Sequence, residues 1–108
     1  MDLQNFLFLD ENDTTGESNE LTCTNARQLT LSVEPADGAT IDLTVKGQLD
    51  FNSDEFFELG AISLADYEAY NPIVDGGIYA FVLDGIGKVK VVNNGSAGNC
   101  TVFGRLTD

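Results

Sequence analysis

From Gln28 onward the chain places apolar side chains on every second position. Leu29, Leu31 and Val33 alternate with Gln28, Thr30, Ser32 and Glu34, and Pro35-Ala36-Asp37-Gly38 then supplies a turn. Ile41, Leu43, Val45, Gly47, Leu49 and Phe51 follow on odd positions, with Asp42, Thr44, Lys46, Gln48 and Asp50 between them. Successive side chains of a strand point to opposite faces, so this pattern predicts two half-buried antiparallel strands, the second unbroken from Ile41 to Phe51. Gly47 leaves a gap on the inner face. It marks either a bulge or the close approach of an aromatic ring from a facing sheet.

The parity of apolar positions changes between Phe57/Leu59 and Ile62/Leu64, across Gly60-Ala61, as expected of a β-bulge. Residues 65–72 fit one helical turn, which Asn71-Pro72 would close. Asp75-Gly76-Gly77 turns into Ile78–Leu83, a run apolar on both sides, as in a strand at the centre of a sheet. Asp84-Gly85-Ile86-Gly87 is a further turn, after which Lys88 and Lys90 alternate with Val89 and Val91. Beyond the loop Asn93–Gly98, Cys100, Val102, Gly104 and Leu106 alternate with Thr101, Phe103, Arg105 and Thr107. About seven or eight strands divided by turn signals, with no helix of ordinary length, predict an all-β antiparallel sandwich, jelly-roll-like, in a single domain. Its expected core holds Leu29, Leu31, Val33, Ile41, Leu43, Val45, Leu49, Tyr79, Phe81, Val89, Val91 and Val102.

The first twenty residues read differently. Leu3, Phe6, Leu7, Phe8 and Leu9 form a short apolar run, and Asp10–Glu20 is polar and acidic. Residues 1–20 are therefore an N-terminal arm or edge strand plus an acidic loop, and residues 21–108 the sandwich. As an arm, the apolar run would add a strand to a neighbouring protein or lie in its groove. As an edge strand, it would belong to the sandwich itself.

Charge narrows the partners. Eighteen acids face five Lys and Arg, a net charge of −13. Affinity for nucleic acid comes largely from Lys and Arg displacing counterions, so neither nucleic acid nor an anionic membrane is an expected partner. No window approaches the ~18 consecutive apolar residues of a spanning helix. The N-terminus carries no basic residue ahead of its apolar run, so it is a poor secretory signal and assembly in a cytoplasm is expected.

Candidate chemistry is sparse. The chain has no His and two cysteines, Cys23 and Cys100, so a structural zinc site is not expected. The cysteines are either a disulfide, if their strands meet, or two small buried apolar groups. Asn94-Gly95-Ser96-Ala97-Gly98 lacks the first glycine of a nucleophile elbow, and no base is at hand for the serine. Gly85-Ile86-Gly87-Lys88 has the wrong spacing for a phosphate loop and reads as a hairpin turn. Asp10, Asn12 and Thr14 have the spacing of calcium ligands. Thr15, however, stands where the turn glycine belongs and Leu21 where the bidentate acid belongs. This loop, like the cluster Asp50, Asp54, Glu55 and Glu58, reads as solvated acid. No enzyme activity, metal or cofactor is expected. Among the aromatics, Tyr67 and Tyr70 fall in the least regular segment and are the candidates for exposed contact residues.

Read from Ile41 to Asp108, the chain resembles small virion proteins of tailed bacteriophages. The resemblance lies in Val45-Lys46-Gly47-Gln48-Leu49-Asp50, in Phe57-Glu58-Leu59 leading to Ile62-Ser63-Leu64-Ala65-Asp66-Tyr67, in Gly77-Ile78-Tyr79, in Val89-Lys90-Val91, and in Val102-Phe103-Gly104-Arg105-Leu106. It covers about two-thirds of the chain. It implies a β-sandwich that decorates heads or joins tail and fibre assemblies, without catalytic residues. The partners it implies are the major capsid protein or other virion proteins, and further copies of the chain. Leu3, Phe6, Leu7, Phe8, Leu9, Tyr67 and Tyr70 are the candidate partner-binding residues. The competing reading is a carbohydrate- or protein-binding module of a bacterial surface protein.

Overall fold

The computed structural model describes residues 4–12, 15–23, 26–49, 54–95 and 97–107. Leu3, Thr14, Asp50 and Phe51 lie outside them. All regular elements among the described residues are strands: β1 (Gln4–Asn12), β2 (Gly16–Glu17), β3 (Leu21–Thr22), β4 (Gln28–Pro35), β5 (Leu43–Leu49), β6 (Phe57–Leu59), β7 (Ala61–Ser63), β8 (Ala69–Tyr70), β9 (Gly77–Val82), β10 (Ile86–Asn93) and β11 (Cys100–Thr107). They form two antiparallel sheets. The six-stranded sheet has the order β1-β11-β4-β9-β7-β8. The five-stranded sheet has the order β2-β10-β5-β6, with β3 also paired to β10.

The alternating segments build the core. Leu29, Leu31 and Val33 on β4, Tyr79 and Phe81 on β9, and Val102 on β11 are buried on the inner face of the six-stranded sheet. Leu43 and Val45 on β5 and Val89 and Val91 on β10 are buried on the other sheet. Each such side chain contributes roughly 1.5–3 kcal/mol when taken fully out of water. Ile41 is buried too, just ahead of β5.

Leu49 is not part of this core. It is 48% exposed at the end of β5, where its pairing with Ile86 follows a register shift in β10. The register shift between Ile86 and Lys88 lies opposite this end of β5, where the regular ladder with β10 ends. The regular part of β5 is also shorter than the alternation suggested, beginning at Leu43. Gly47 is approached by its sheet neighbours rather than by a ring: a β-carbon there would lie 2.9 Å from Leu59 Cδ1 and 3.2 Å from Ile86 Cγ2.

Two further expectations are corrected by topology. The parity change at Gly60-Ala61 is not a bulge. β6 pairs with β5 in one sheet and β7 with β9 in the other, so the chain crosses between sheets at Gly60. Residues 65–72 form a turn and the short strand β8 rather than a helical turn, and the Asn71-Pro72 peptide is cis. The strand count exceeds eight because β2, β3 and β8 are two residues long. Such pieces are too short to show a period.

The N-terminal run is an edge strand. β1 pairs with β11, with Phe6 opposite Gly104 and Leu7 opposite Phe103. A register shift between Leu7 and Leu9 then turns two consecutive residues, Phe8 and Leu9, into the core. Bulges re-aim side chains in this way. Cys23 and Cys100 are both buried, and no disulfide joins them. Cys23 donates its N–H to the Gly87 carbonyl, whereas Cys100 pairs with Pro35 at the start of β11, so the two thiols sit at opposite ends of the sandwich. Burial pushes the Cys100 thiol up from its ordinary pKa.

Candidate functional site

The outward positions of the six-stranded sheet form rows fixed by strand register. One row runs Leu7, Phe103, Ser32, Ile78. The next runs Asn5, Arg105, Thr30, Ala80, Ile62. Beyond it lie Thr107, Gln28 and Val82. Val82 is 75% exposed and Phe103 47%, and Leu7, Ile62 and Ile78 are exposed as well. Soluble chains place single apolar groups on their surfaces routinely, but a contiguous set on one sheet face marks an interaction surface. The paired positions of this face carry two charged side chains, Arg105 and Glu34. Exposed Asp10 follows inward-facing Leu9 on the β1 edge of the same sheet.

The opposite outer face is charged. All three lysines of the chain, Lys46, Lys88 and Lys90, project from β5 and β10 there. Lys46 stands directly across from Lys90 on one side and from Glu58 on the other. Lys90 Nζ lies 3.1 Å from Glu17 Oε2 and 4.2 Å from the centre of the Phe56 ring. Lys88 Nζ is 3.7 Å from Glu20 Oε1. Glutamates thus answer the cross-strand lysine repulsion, and pairs of this exposure add little to stability.

At one edge of the six-stranded sheet, residues 63–70 hold an aromatic corner. The Tyr67 N–H donates to the Ser63 carbonyl at 2.8 Å, and the Ser63 N–H to the Glu68 carbonyl at 2.9 Å. The Ser63 hydroxyl accepts from the Ala65 N–H, and an Asp66 carboxylate oxygen accepts from the Glu68 N–H. The Tyr70 hydroxyl donates to the other Asp66 oxygen. These bonds fix Tyr67 at a φ of 58°, in the left-handed region, with 78% of its surface exposed. Side chains with a β-carbon avoid that region at a cost of about 1–2 kcal/mol. The Tyr70 bond to Asp66, aided by desolvation, pushes the Tyr70 phenol up to about 12. The same bond is the chief reason Asp66 titrates below its ordinary value. Tyr70 is half-buried and meets Tyr79 edge-on, with ring centres 6.2 Å apart. Tyr79 is buried and donates its hydroxyl to the Asp75 carbonyl at 2.7 Å. Its burial raises its own pKa.

The candidate contact residues therefore separate. Tyr67 and Leu7 are exposed, Leu7 on the outer face of the six-stranded sheet. Phe6 and Tyr70 pack partly against the core. Phe8 and Leu9 are inside it, so they are not free for a partner while the sandwich is closed. Leu3 lies outside the described residues. Phe103, Ile78, Val82 and Ile62 were not singled out by sequence reasoning. Only Phe103 carried a signal, as an apolar residue at the parity opposite Cys100, Val102, Gly104 and Leu106; Ile62 stands at the apolar parity of its segment, and Ile78 and Val82 lie in a run apolar on both sides. Among the described residues no three acidic or cysteine side chains gather closely enough to hold a metal ion.

No protein-family model matches the chain, and no curated protein matches it in sequence. Solved structures do match in three dimensions. The SPBc2 prophage-derived protein YomS superposes with a TM-score of 0.85 at 20% identity, over 97% of this chain and 92% of YomS. The fold is that of phage-derived β-sandwich proteins. The PBSX exported protein XepA superposes with a TM-score of 0.88 at 16% identity, again over 97% of this chain. The chain corresponds to 37% of the length of XepA, so XepA contains a good deal more than this one sandwich.

Proposed function

We propose that this chain is a non-enzymatic structural protein of a bacteriophage particle, a head decoration or cement protein bound in many copies to the major capsid protein. The observation that carries this reading is the apolar outer face of the six-stranded sheet. A chain that places 18 acids on 108 residues and still exposes Leu7, Ile62, Ile78, Val82 and Phe103 on one sheet face presents a surface suited to being covered. The shared fold of YomS supports a phage context. Tyr67, rigid and exposed, supplies a second contact at the sheet edge. Tyrosines of this kind anchor interfaces because they bury much area at little entropic cost.

A second reading draws on the name of XepA, an exported protein. It makes the chain a tail, neck or fibre component, or a carbohydrate- or protein-binding module of a bacterial surface protein. Electron cryomicroscopy of particles carrying a labelled copy of the chain separates the two. Label over the head faces supports decoration, label on the tail supports the second reading, and unlabelled particles exclude both virion roles.

A further inference from the structure

We infer that Asn94-Gly95 is a self-modification site. Asn94 loses its side-chain nitrogen as ammonia through a cyclic imide, the folded loop holds that reaction back, and its completion unhooks the loop from Asp42 and Thr44. The inference is independent of what the chain attaches to. This is the only Asn-Gly pair in the sequence, and asparagine is among the thermally labile residues. Ahead of a glycine the reaction is least hindered, because no side chain shields the next backbone nitrogen. The steps balance with water alone. The Gly95 nitrogen gives its proton to hydroxide and attacks Asn94 Cγ. The Cγ–Nδ2 bond breaks, and ammonia leaves with a proton taken from water. Water then opens the imide at either carbonyl. The product at position 94 is an aspartyl linkage or an isoaspartyl one, the latter lengthening the main chain by a carbon.

The fold requires both residues of the labile pair. Gly95 has a φ of 137°, and the nearest atom to a β-carbon there would be Thr15 Oγ1 at 3.9 Å. Backbone conformation rather than space thus demands the glycine. Position 94 demands an amide. Asn94 Nδ2 donates to Asp42 Oδ1 at 3.1 Å and to Thr44 Oγ1 at 2.8 Å, which uses both of its hydrogens. The Asn94 N–H donates to the Asp42 carbonyl at 2.9 Å as well. The same bonds restrain the chemistry. Nδ2 is the leaving nitrogen, and the attacking Gly95 N–H is donated to Asn93 Oδ1 at 3.2 Å. Asn94 and Gly95 are exposed, so water and hydroxide reach them. The reaction therefore waits on local opening of these bonds, not on unfolding of the sheets. Afterwards a carboxylate at position 94 has no hydrogen to give and stands against the carboxylate of Asp42. The original bonds cannot re-form, so a transient opening becomes permanent.

The test is peptide mass mapping of the full chain through a long incubation in warm, mildly alkaline buffer, with and without urea. The mass gain of an amide turned acid is expected at position 94 in both samples, faster as pH rises. In the folded chain it is expected at least about tenfold more slowly than in the unfolded one, since only the open fraction reacts. D42A, which frees the leaving nitrogen from one acceptor and leaves the core untouched, is expected to speed the folded reaction by about threefold or more. N94D, the product made directly, is expected to melt several degrees below the parent. D42N/N94D reverses the donor and acceptor across that contact, so it is expected to melt near the parent and to show no mass gain at position 94. A folded chain modified as fast as the unfolded one, a folded chain unmodified at position 94 throughout, D42A no faster than the parent, or N94D melting with the parent would each overturn the inference. So would a D42N/N94D chain that melts no higher than N94D.

Discussion

The ring of Phe8 fills the space that a side chain at position 104 would need. A β-carbon on Gly104 would lie 2.6 Å from Phe8 Cε2, with Leu29 Cδ1 at 3.1 Å and Leu31 Cδ2 at 3.3 Å. The edge strand is thus keyed into the sheet by an aromatic lying against a glycine across the β1–β11 pair. G104A is expected to destabilise the fold by about 1–3 kcal/mol through overpacking, and F8A by about 3–5 kcal/mol through the cavity it leaves. Urea unfolding measures both. The double variant is expected to lose less than the sum, because the removed ring relieves the added methyl. Strict additivity would show that the two residues do not share this space.

Removing residues 1–9 is expected to unfold the domain or make it insoluble. The deletion takes away Phe8 and Leu9 and bares the β11 edge along much of its length. Circular dichroism and thermal melting check this. A truncated chain that folds and melts like the parent would return the segment to the role of a detachable arm.

The contrast between this segment and β4 explains what could be read in advance. On β4, Leu29, Leu31 and Val33 follow one period without interruption, and the period survives because both neighbouring strands pair in register. On β1 the register shift buries Phe8 and Leu9 in succession, so local pattern could not separate an edge strand from an arm. The crossing at Gly60 looked like a bulge because both events shift parity, and only strand partners distinguish them. The candidate site was legible in part. Tyr67 and Leu7 were read as contacts, whereas Ile78 and Val82 were assigned to a strand apolar on both sides, without a sign that the outer side stays uncovered.

Tyr67 holds a left-handed φ that glycine adopts without strain. Y67G is expected to leave stability unchanged or raise it by up to ~1 kcal/mol, while weakening attachment to particles. Co-sedimentation with purified particles, alongside thermal melting, reads both effects. If Y67G melts several degrees lower, the side chain is structural. If it attaches at full strength, the corner is not a contact.

The Asp66–Tyr70 bond makes the corner sensitive to pH from both sides. The raised Tyr70 pKa means that its contribution is complete below the ordinary tyrosine value of 10.0 and is lost as pH rises through about 12. The lowered Asp66 pKa means that its contribution is present above the ordinary carboxylate value and is lost as pH falls through the folded-state value. D66A is expected to bring the Tyr70 phenol back toward 10, seen as an earlier rise of phenolate absorbance near 295 nm in an alkaline titration. An unchanged titration curve would mean the bond does not hold in solution.

The most direct test of the central claim is the amount of this chain in virions purified from cells that carry its gene. Quantitative mass spectrometry against the major capsid protein gives the ratio. The expected result is a fixed stoichiometry of many copies per particle, lost when the chain carries both F103D and Y67G. Virions that contain none of it, with the chain recovered entirely in the soluble lysate, would contradict the account.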